Sequence, residues 1–451
     1  MKIFLALLLT ASGAFAQPSM RETMPSMQMP TTSSSNPTPP QPNAGPDPLA
    51  EISGRPPLTL PYLLAIARAR NPTLRTAQST IAESAGHAKQ AGLLPNPVIG
   101  YEGDQIRGGS YGGGEQGGFV QQAIPLGGKL GLRRDALRAQ QRTDELALAM
   151  QQQRIEADIE NSFYAALTLQ QEIDTRKQLS AIAADAAQTA RQLANVGQAD
   201  APDVLQSEVE QEQAALDTVT AQRHYIAIFH QLIATAGQPD LPLARLAGDL
   251  TAPAVPPPSL DAILEQSPAV QRADQAVVAA EAQLHSAHRD VVPDLTVRAG
   301  EQWNNELIRQ NPNIATGAQS FASASIDLPL WNRNQGNIAA AQAAVEQAQA
   351  EAQRVRLALR RDAAPLVEQY NIAAGQTSRY KSDLLPRAQR AYDLYRDRYS
   401  HMAAAYPQVL VSQRTLFQLQ LAYIQSLGEL WQSAAQLRHF ALTGDLTAPA
   451  Q

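Results

Sequence analysis

The chain has no cysteine. That excludes disulfides, thiolate metal sites, a catalytic cysteine and a lipid carried on a cysteine behind an export signal. Aromatic residues make up only 5%, too few for a large compact core built from packed rings. Positive charge is short as well: the formal net charge is −6, so no nucleic-acid surface is expected. Beyond the amino terminus, no window offers about 18 uncharged apolar residues, so no transmembrane helix is expected in the mature chain. Any membrane crossing must then use strands. One further absence is local. From Leu132 to Val196 there are 65 residues without a proline or a glycine.

That stretch is rich in Ala, Gln, Arg, Glu and Leu, all good helix formers. As one helix it would be about 98 Å long at 1.5 Å per residue. Ile155, Ile159, Phe163 and Leu167 stand four apart and are followed by Leu169 and Ile173, which makes one apolar stripe along a polar cylinder. No ordinary globular domain needs such a rod. The chain builds something elongated.

Residues 1–16 read as an export signal: Lys2, the apolar run Ile3 to Leu9, and the small residues of Ala14-Phe15-Ala16 before Gln17. Residues 17–57 are a Met-, Pro- and Ser-rich segment with too little apolar surface to order itself. It carries Met20, Met24, Met27 and Met29. Thioether sulfur suits Cu(I), and a flexible linker can equally carry methionine without binding anything; the sequence leaves both open.

A first repeat spans 58–251. Asn71-Pro72 opens a helix that runs to Leu94, Val98 to Gln105 make a strand, and Phe119 to Ile124 a second strand closed by Pro125. The rod follows and ends at Gly197, a typical helix-stop glycine. Pro202 to Thr235 return as another helix. A Pro-rich linker at 252–258 leads into a second repeat, 259–446, with a tail at 447–451. Ser267-Pro268 and Pro293 match Asn71-Pro72 and Pro97 at an offset of 196, Pro329-Leu330 matches Pro125-Leu126 at 204, and Pro407, Val409 and Leu410 match Pro202, Val204 and Leu205 at 205. Four landmarks in one order indicate an internal duplication. The second rod, 336–399, should be kinked or broken by Pro365, Gly375 and Pro386.

The strands alternate. Leu295, Val297 and Ala299 share one face, and Thr296, Arg298 and Gln302 the other; Ala322, Ala324, Ile326 and Leu328 oppose Ser323, Ser325 and Asp327. Apolar-out, polar-in strands suit an outer-membrane barrel, and equally an amphipathic hairpin on a soluble domain. In the barrel reading Thr296, Arg298, Gln302, Ser323, Ser325 and Asp327 face the lumen, and Trp303 and Trp331 sit at strand ends in an aromatic girdle. Four strands cannot close a conducting barrel, since about eight are needed to enclose even side chains, and open edges are not tolerated in lipid. Several copies must then share one barrel, and a homotrimer with twelve strands would satisfy both conditions.

Asn71-Pro72, Pro95-Asn96-Pro97, Gln122 through Lys129 (QAIPLGGK), Gly197 with Asp203-Val204-Leu205, and Leu384-Leu385-Pro386 together resemble the TolC family of outer-membrane efflux proteins. The Gly-Gly-Lys after the second strand is most like its heavy-metal branch, the outer-membrane partners of cobalt–zinc–cadmium and copper efflux pumps. The resemblance covers about residues 58–446. It implies a mainly α fold with a small β part: long helical hairpins forming a periplasmic tunnel, plus four strands per chain in a trimeric twelve-stranded barrel surrounded by outer-membrane lipid. It also implies two partners, a periplasmic adaptor (membrane fusion) protein and an inner-membrane resistance-nodulation-division pump. The periplasmic entrance would lie at the turns 197–203 and 400–408, with Gly197, Asp200, Asp203, Met402 and Gln408. Met402 stands where the family usually has Gly, and Gln408 where an acid is common. Asp200 and Asp203 would form rings of carboxylates under three-fold symmetry, attracting cations; they also occupy positions where Asp caps a helix.

Enzyme chemistry has no candidate residues. Gly108 to Gly118 lacks the helix that a phosphate loop needs directly behind it, and Gly127-Gly128-Lys129 is followed by Leu130 instead of Ser or Thr. His285 and His288 lie three apart and suit either a solvated pair or two of a metal's ligands. The expected activity is a passive exit duct without cofactor, for heavy-metal cations. A duct for drugs or other organic compounds and a pore-less periplasmic coiled-coil scaffold or adaptor are the competing expectations.

Overall fold

The computed structural model describes residues 54–108, 111–112, 114–197, 200–252, 259–308, 314–401 and 406–439. The predicted signal, Met20, Met24, Met27, Met29, Met402, the tail and all but the first residue of the linker lie outside them.

A two-residue strand β1 (Leu58–Thr59) opens the described chain and pairs in parallel with β6 (Leu246–Ala247). Helix α1 (Leu60–Arg70) runs into α2 (Pro72–Ala91) at Asn71. Asn71 explains the Asn-Pro signal: its Oδ1 accepts from the Thr73 amide at 2.9 Å, capping α2. Its Nδ2 donates to the Thr235 carbonyl at 2.8 Å, which ties the start of one helix to the end of another. Strand β2 (Val98–Asp104) follows, then a small ladder of β3 (Arg107–Gly108) and β4 (Tyr111–Gly112), then β5 (Glu115–Ile124).

All of the proline- and glycine-free stretch but its last residue lies in a single helix, α3 (Lys129–Asn195), 67 residues long. Ile155, Ile159, Phe163, Leu167 and Ile173 are buried as their spacing predicts. Helix α4 (Ala201–Thr235) returns along it. At about 1.5 Å per residue α4 climbs roughly half the rod, so its upper end, with Tyr225, Phe229, Leu232 and Ile233, packs on the middle of α3 and there builds the core with α1.

The same element order then recurs: α5 (Leu260–Gln266), α6 (Pro268–Arg289), β7 (Leu295–Ile308), β8 (Ile314–Ile326), α7 (Gln335–Arg379), α8 (Leu385–Ser400) and α9 (Tyr406–Arg438). The second rod differs from expectation. α7 passes through Pro365 and Gly375 without a break, and the irregularity is a five-residue π segment at Tyr380–Leu384. Pro365 is on the exposed side of α7, where a carbonyl left without its helical donor needs no protein partner. Pro386 sits in the first turn of α8; its ring would clash with the carbonyl four residues back, and the widened turn accommodates it.

The four long strands form one antiparallel sheet in the order β2-β5-β7-β8. Trp303 is inside β7, paired with Ala318, and not at its end; Trp331 lies five residues past β8. Asp327 and Leu328 also fall outside the ladder. The next rung would set Asp327 against Asp294, one carboxylate against another, and Asp294 pairs with Lys129 instead. Pro329, without an amide hydrogen, could not extend the ladder in any case.

The connections from strand to rod explain the Gly-Gly-Lys motif. Gly127 and Gly128 adopt left-handed φ of 71° and 72°, which turns the chain out of β5 and into α3. Lys129 is buried and reaches the other half, donating to the Val292 carbonyl at 2.7 Å and pairing with Asp294. Arg133, one turn on, holds Asp290 at 2.8 Å.

Candidate transport path

At the far end of the rods, α3 stops on Gly197, whose φ of 73° closes the helix. A Cβ there would meet nothing within 4 Å, so the position demands backbone freedom and not space. Asp200 occupies the N-cap position of α4, and its backbone carbonyl accepts from the amides of Asp203 and Val204 at 3.0 and 3.3 Å. Its side chain makes no capping hydrogen bond. Asp203 lies in the first turn, and both residues are exposed. At the other tip α8 ends at Ser400 and α9 begins at Tyr406, so Gln408 lies on the first turn of a helix, not in the turn between them. It is exposed beside an apolar groove of Ala388, Ala391, Tyr395 and Val411 between α8 and α9.

A contact between hairpins that local sequence patterns do not reveal joins the two return helices. Arg414 of α9 pairs with Glu210 of α4, and Gln206 donates to the same carboxylate at 3.1 Å. The Arg414 hydrogen bond, with help from Gln206, holds the Glu210 carboxyl below its ordinary range. At the sequence offset of 205 that relates Pro202 to Pro407, Arg414 falls opposite Val209, one residue from Glu210.

The sheet has a largely apolar face and a largely polar one, with Gln116, Glu301 and Ser320 on the first and Phe119 and Phe321 on the second. On one, Ile99, Tyr101, Val120, Val297 and Ile326 are all exposed, Ile99 at 81%. Among the described residues none covers these side chains, and exposed apolar groups clustered on one face mark a contact with a membrane or a partner. On the other, cross-strand pairing places Thr296 against Ser325, Arg298 against Ser323, and Gln302 against Gln319. All five of these predicted lumen residues that lie within the ladder share that face. Sequence reading missed Glu115, whose carboxylate accepts from Gln302 Nε2 at 2.7 Å and Asn304 Nδ2 at 2.8 Å. It also missed Glu102, the ion-pair partner of Arg298. Both lie on β2 or β5, more than 180 residues from the groups they meet.

His285 and His288 are exposed near the end of α6. Among the described residues no three His, Asp or Glu side chains converge where they could hold a metal. None of the described helices is long and apolar enough to cross a membrane.

The sequence pattern of the outer membrane efflux protein family matches residues 63–238 and 259–442. The chain belongs to that family. Its two matched segments bracket both hairpins and all four long strands. The chain is similar to the cobalt-zinc-cadmium resistance protein CzcC of Cupriavidus metallidurans, 29% identical over 388 residues, 84% of this chain and 89% of CzcC. It is also similar to the cation efflux system protein CusC of Escherichia coli K12, 28% identical over 178 residues, 37% of this chain and 38% of CusC. A crystal structure of CusC, from work on folding and transmembrane channel formation, superposes with a TM-score of 0.69 at 18% identity, over 85% of this chain and 91% of that one. The likeness of the coordinates establishes the fold: a mainly helical, TolC-like chain with a small sheet.

Proposed function

We propose that this chain is the outer-membrane exit duct of a tripartite efflux system and passes heavy-metal cations. The observation that carries the reading is the sheet. Its edge strands β2 and β8 run in opposite directions, so the β8 edge of one copy meets the β2 edge of the next in antiparallel fashion. Three copies close twelve strands with no free edge, as lipid demands. The apolar face of β2, β5, β7 and β8 then faces lipid, and the face with Thr296, Arg298, Gln302, Ser323 and Ser325 lines the lumen. An exposed apolar stripe on α4, Leu205, Val209, Leu216 and Val219, gives the tunnel a contact surface toward a sister copy.

The tips form the entrance. Asp200 and Asp203, each repeated three times, concentrate cations there, and the Arg414–Glu210 pair holds the two hairpins together in the resting state. A periplasmic adaptor receives the tips, and an inner-membrane resistance-nodulation-division pump drives transport, since a passive conduit supplies only path and gate. The resistance and cation-efflux functions in the names of CzcC and CusC support metal cations as cargo. Deleting the gene and growing the strain across a panel of metals and antibiotics tests this: sensitivity confined to divalent or monovalent metal cations supports it, and sensitivity confined to organic drugs overturns the cargo.

A further inference from the structure

One row of residues crosses the four long strands at a single level on the polar face: Gly100, Phe119, Gly300 and Phe321. A Cβ on Gly100 would stand 2.3 Å from the Phe119 ring, and one on Gly300 would stand 2.8 Å from the Phe321 ring. Each ring therefore reaches over a glycine and occupies the space a side chain there would need. Arg298 lies on top of them. It is the one basic residue in β2, β5, β7 and β8. Its guanidinium carbon is 3.9 Å from the centre of Phe119 and 5.4 Å from that of Phe321, both within cation–π range. Glu102, on the edge strand β2, closes the clasp by pairing with it. The same face also carries Asp104 and Glu115, paired across β2 and β5.

We propose that Glu102 and the two phenyl rings stow Arg298 against the wall, and that this stowing sets the charge selectivity of the barrel. The inference rests on the duct reading above. With Arg298 neutralised, Asp104 and Glu115 leave the inner face acidic, so it favours cations. A bore lined by one sign of charge and walled by low dielectric raises the local concentration of the opposite ion. Three-fold repetition multiplies each change: freeing one guanidinium per chain places three in the bore, and removing it frees three Glu102 carboxylates. Arg298 is thus a specificity-determining residue whose charge is held in check by a strand that itself forms the seam between copies.

The test is the reversal potential of the purified full-length protein in planar bilayers under a potassium chloride gradient. Glu102→Gln lowers the potassium-to-chloride permeability ratio by about twofold, and Arg298→Gln raises it by a similar factor. The Glu102→Gln/Arg298→Gln double variant returns close to the original ratio, because both charges of the pair are gone. The entrance is the same in all these chains and cannot produce opposite shifts. Arg298→Gln carries the sign alone should Glu102→Gln fail to insert. Inserted, conducting variants whose ratios equal the unsubstituted protein's, or move in the same direction, overturn the inference. Absence of any conductance from the unsubstituted protein overturns the duct reading instead.

Discussion

Lys129 has a side chain only 5% exposed, and a buried ammonium must have its charge met. It is met by Asp294 and the Val292 carbonyl of the second half. Lys129→Met leaves the Asp294 carboxylate, itself half exposed, without its partner. Because water can solvate the carboxylate left behind, the loss is about 1 kcal/mol, read as a lower temperature at which the folded band on gels gives way to the unfolded one. Glu210 makes a second residue-scale prediction. Its folded pKa is depressed by Arg414, so its contribution is present above the unfolded carboxylate value of about 4.3 and lost as pH falls below it. If the pair latches the entrance, conductance rises in acid below that value. Glu210→Gln should open the entrance at neutral pH, raising conductance about twofold or more, and abolish the acid step. Of these residues, Lys129 was visible in sequence as part of a motif whose purpose was not. Glu210 and Arg414 carried no local signal, because a contact across 204 residues leaves no trace in helical periodicity.

At the scale of elements, the rods were the most legible part. An unbroken run without Pro or Gly and a stripe at Ile155, Ile159, Phe163 and Leu167 leave a chain little choice but a long helix. Strands were legible by alternation, and the prolines near their ends bounded them. The π segment at Tyr380–Leu384 was not, since Pro365, Gly375 and Pro386 read alike in sequence and only Pro386 distorts the helix. The row of glycines and phenylalanines was hidden for another reason: it runs across strands, at right angles to the chain. Helix packing offers a prediction of its own. Gly428 of α9 sits where a Cβ would lie 2.4 Å from Thr168 Oγ1 of α3. Gly428→Val should push α9 off the central rod at a cost of about 2 kcal/mol. Greater protease sensitivity of the C-terminal helix would register it, whereas Gly375→Ala, with open space around it, should leave that sensitivity unchanged.

For the whole molecule, two hairpins of nearly equal length hang from one sheet, and the core sits midway down the rods, where α1, α4 and α9 close on α3. Among the described residues the sheet has no core of its own: side chains on its apolar face are exposed and its edge strands β2 and β8 have no further strand beside them. A soluble protein would hide such a sheet, while a lipid-embedded assembly would complete it. The most direct measurement is planar-bilayer recording of the purified full-length protein, with its mass taken in the same detergent. The account predicts discrete, long-lived conductance steps from a particle of three chains. A folded, water-soluble monomer that produces no steps would contradict it.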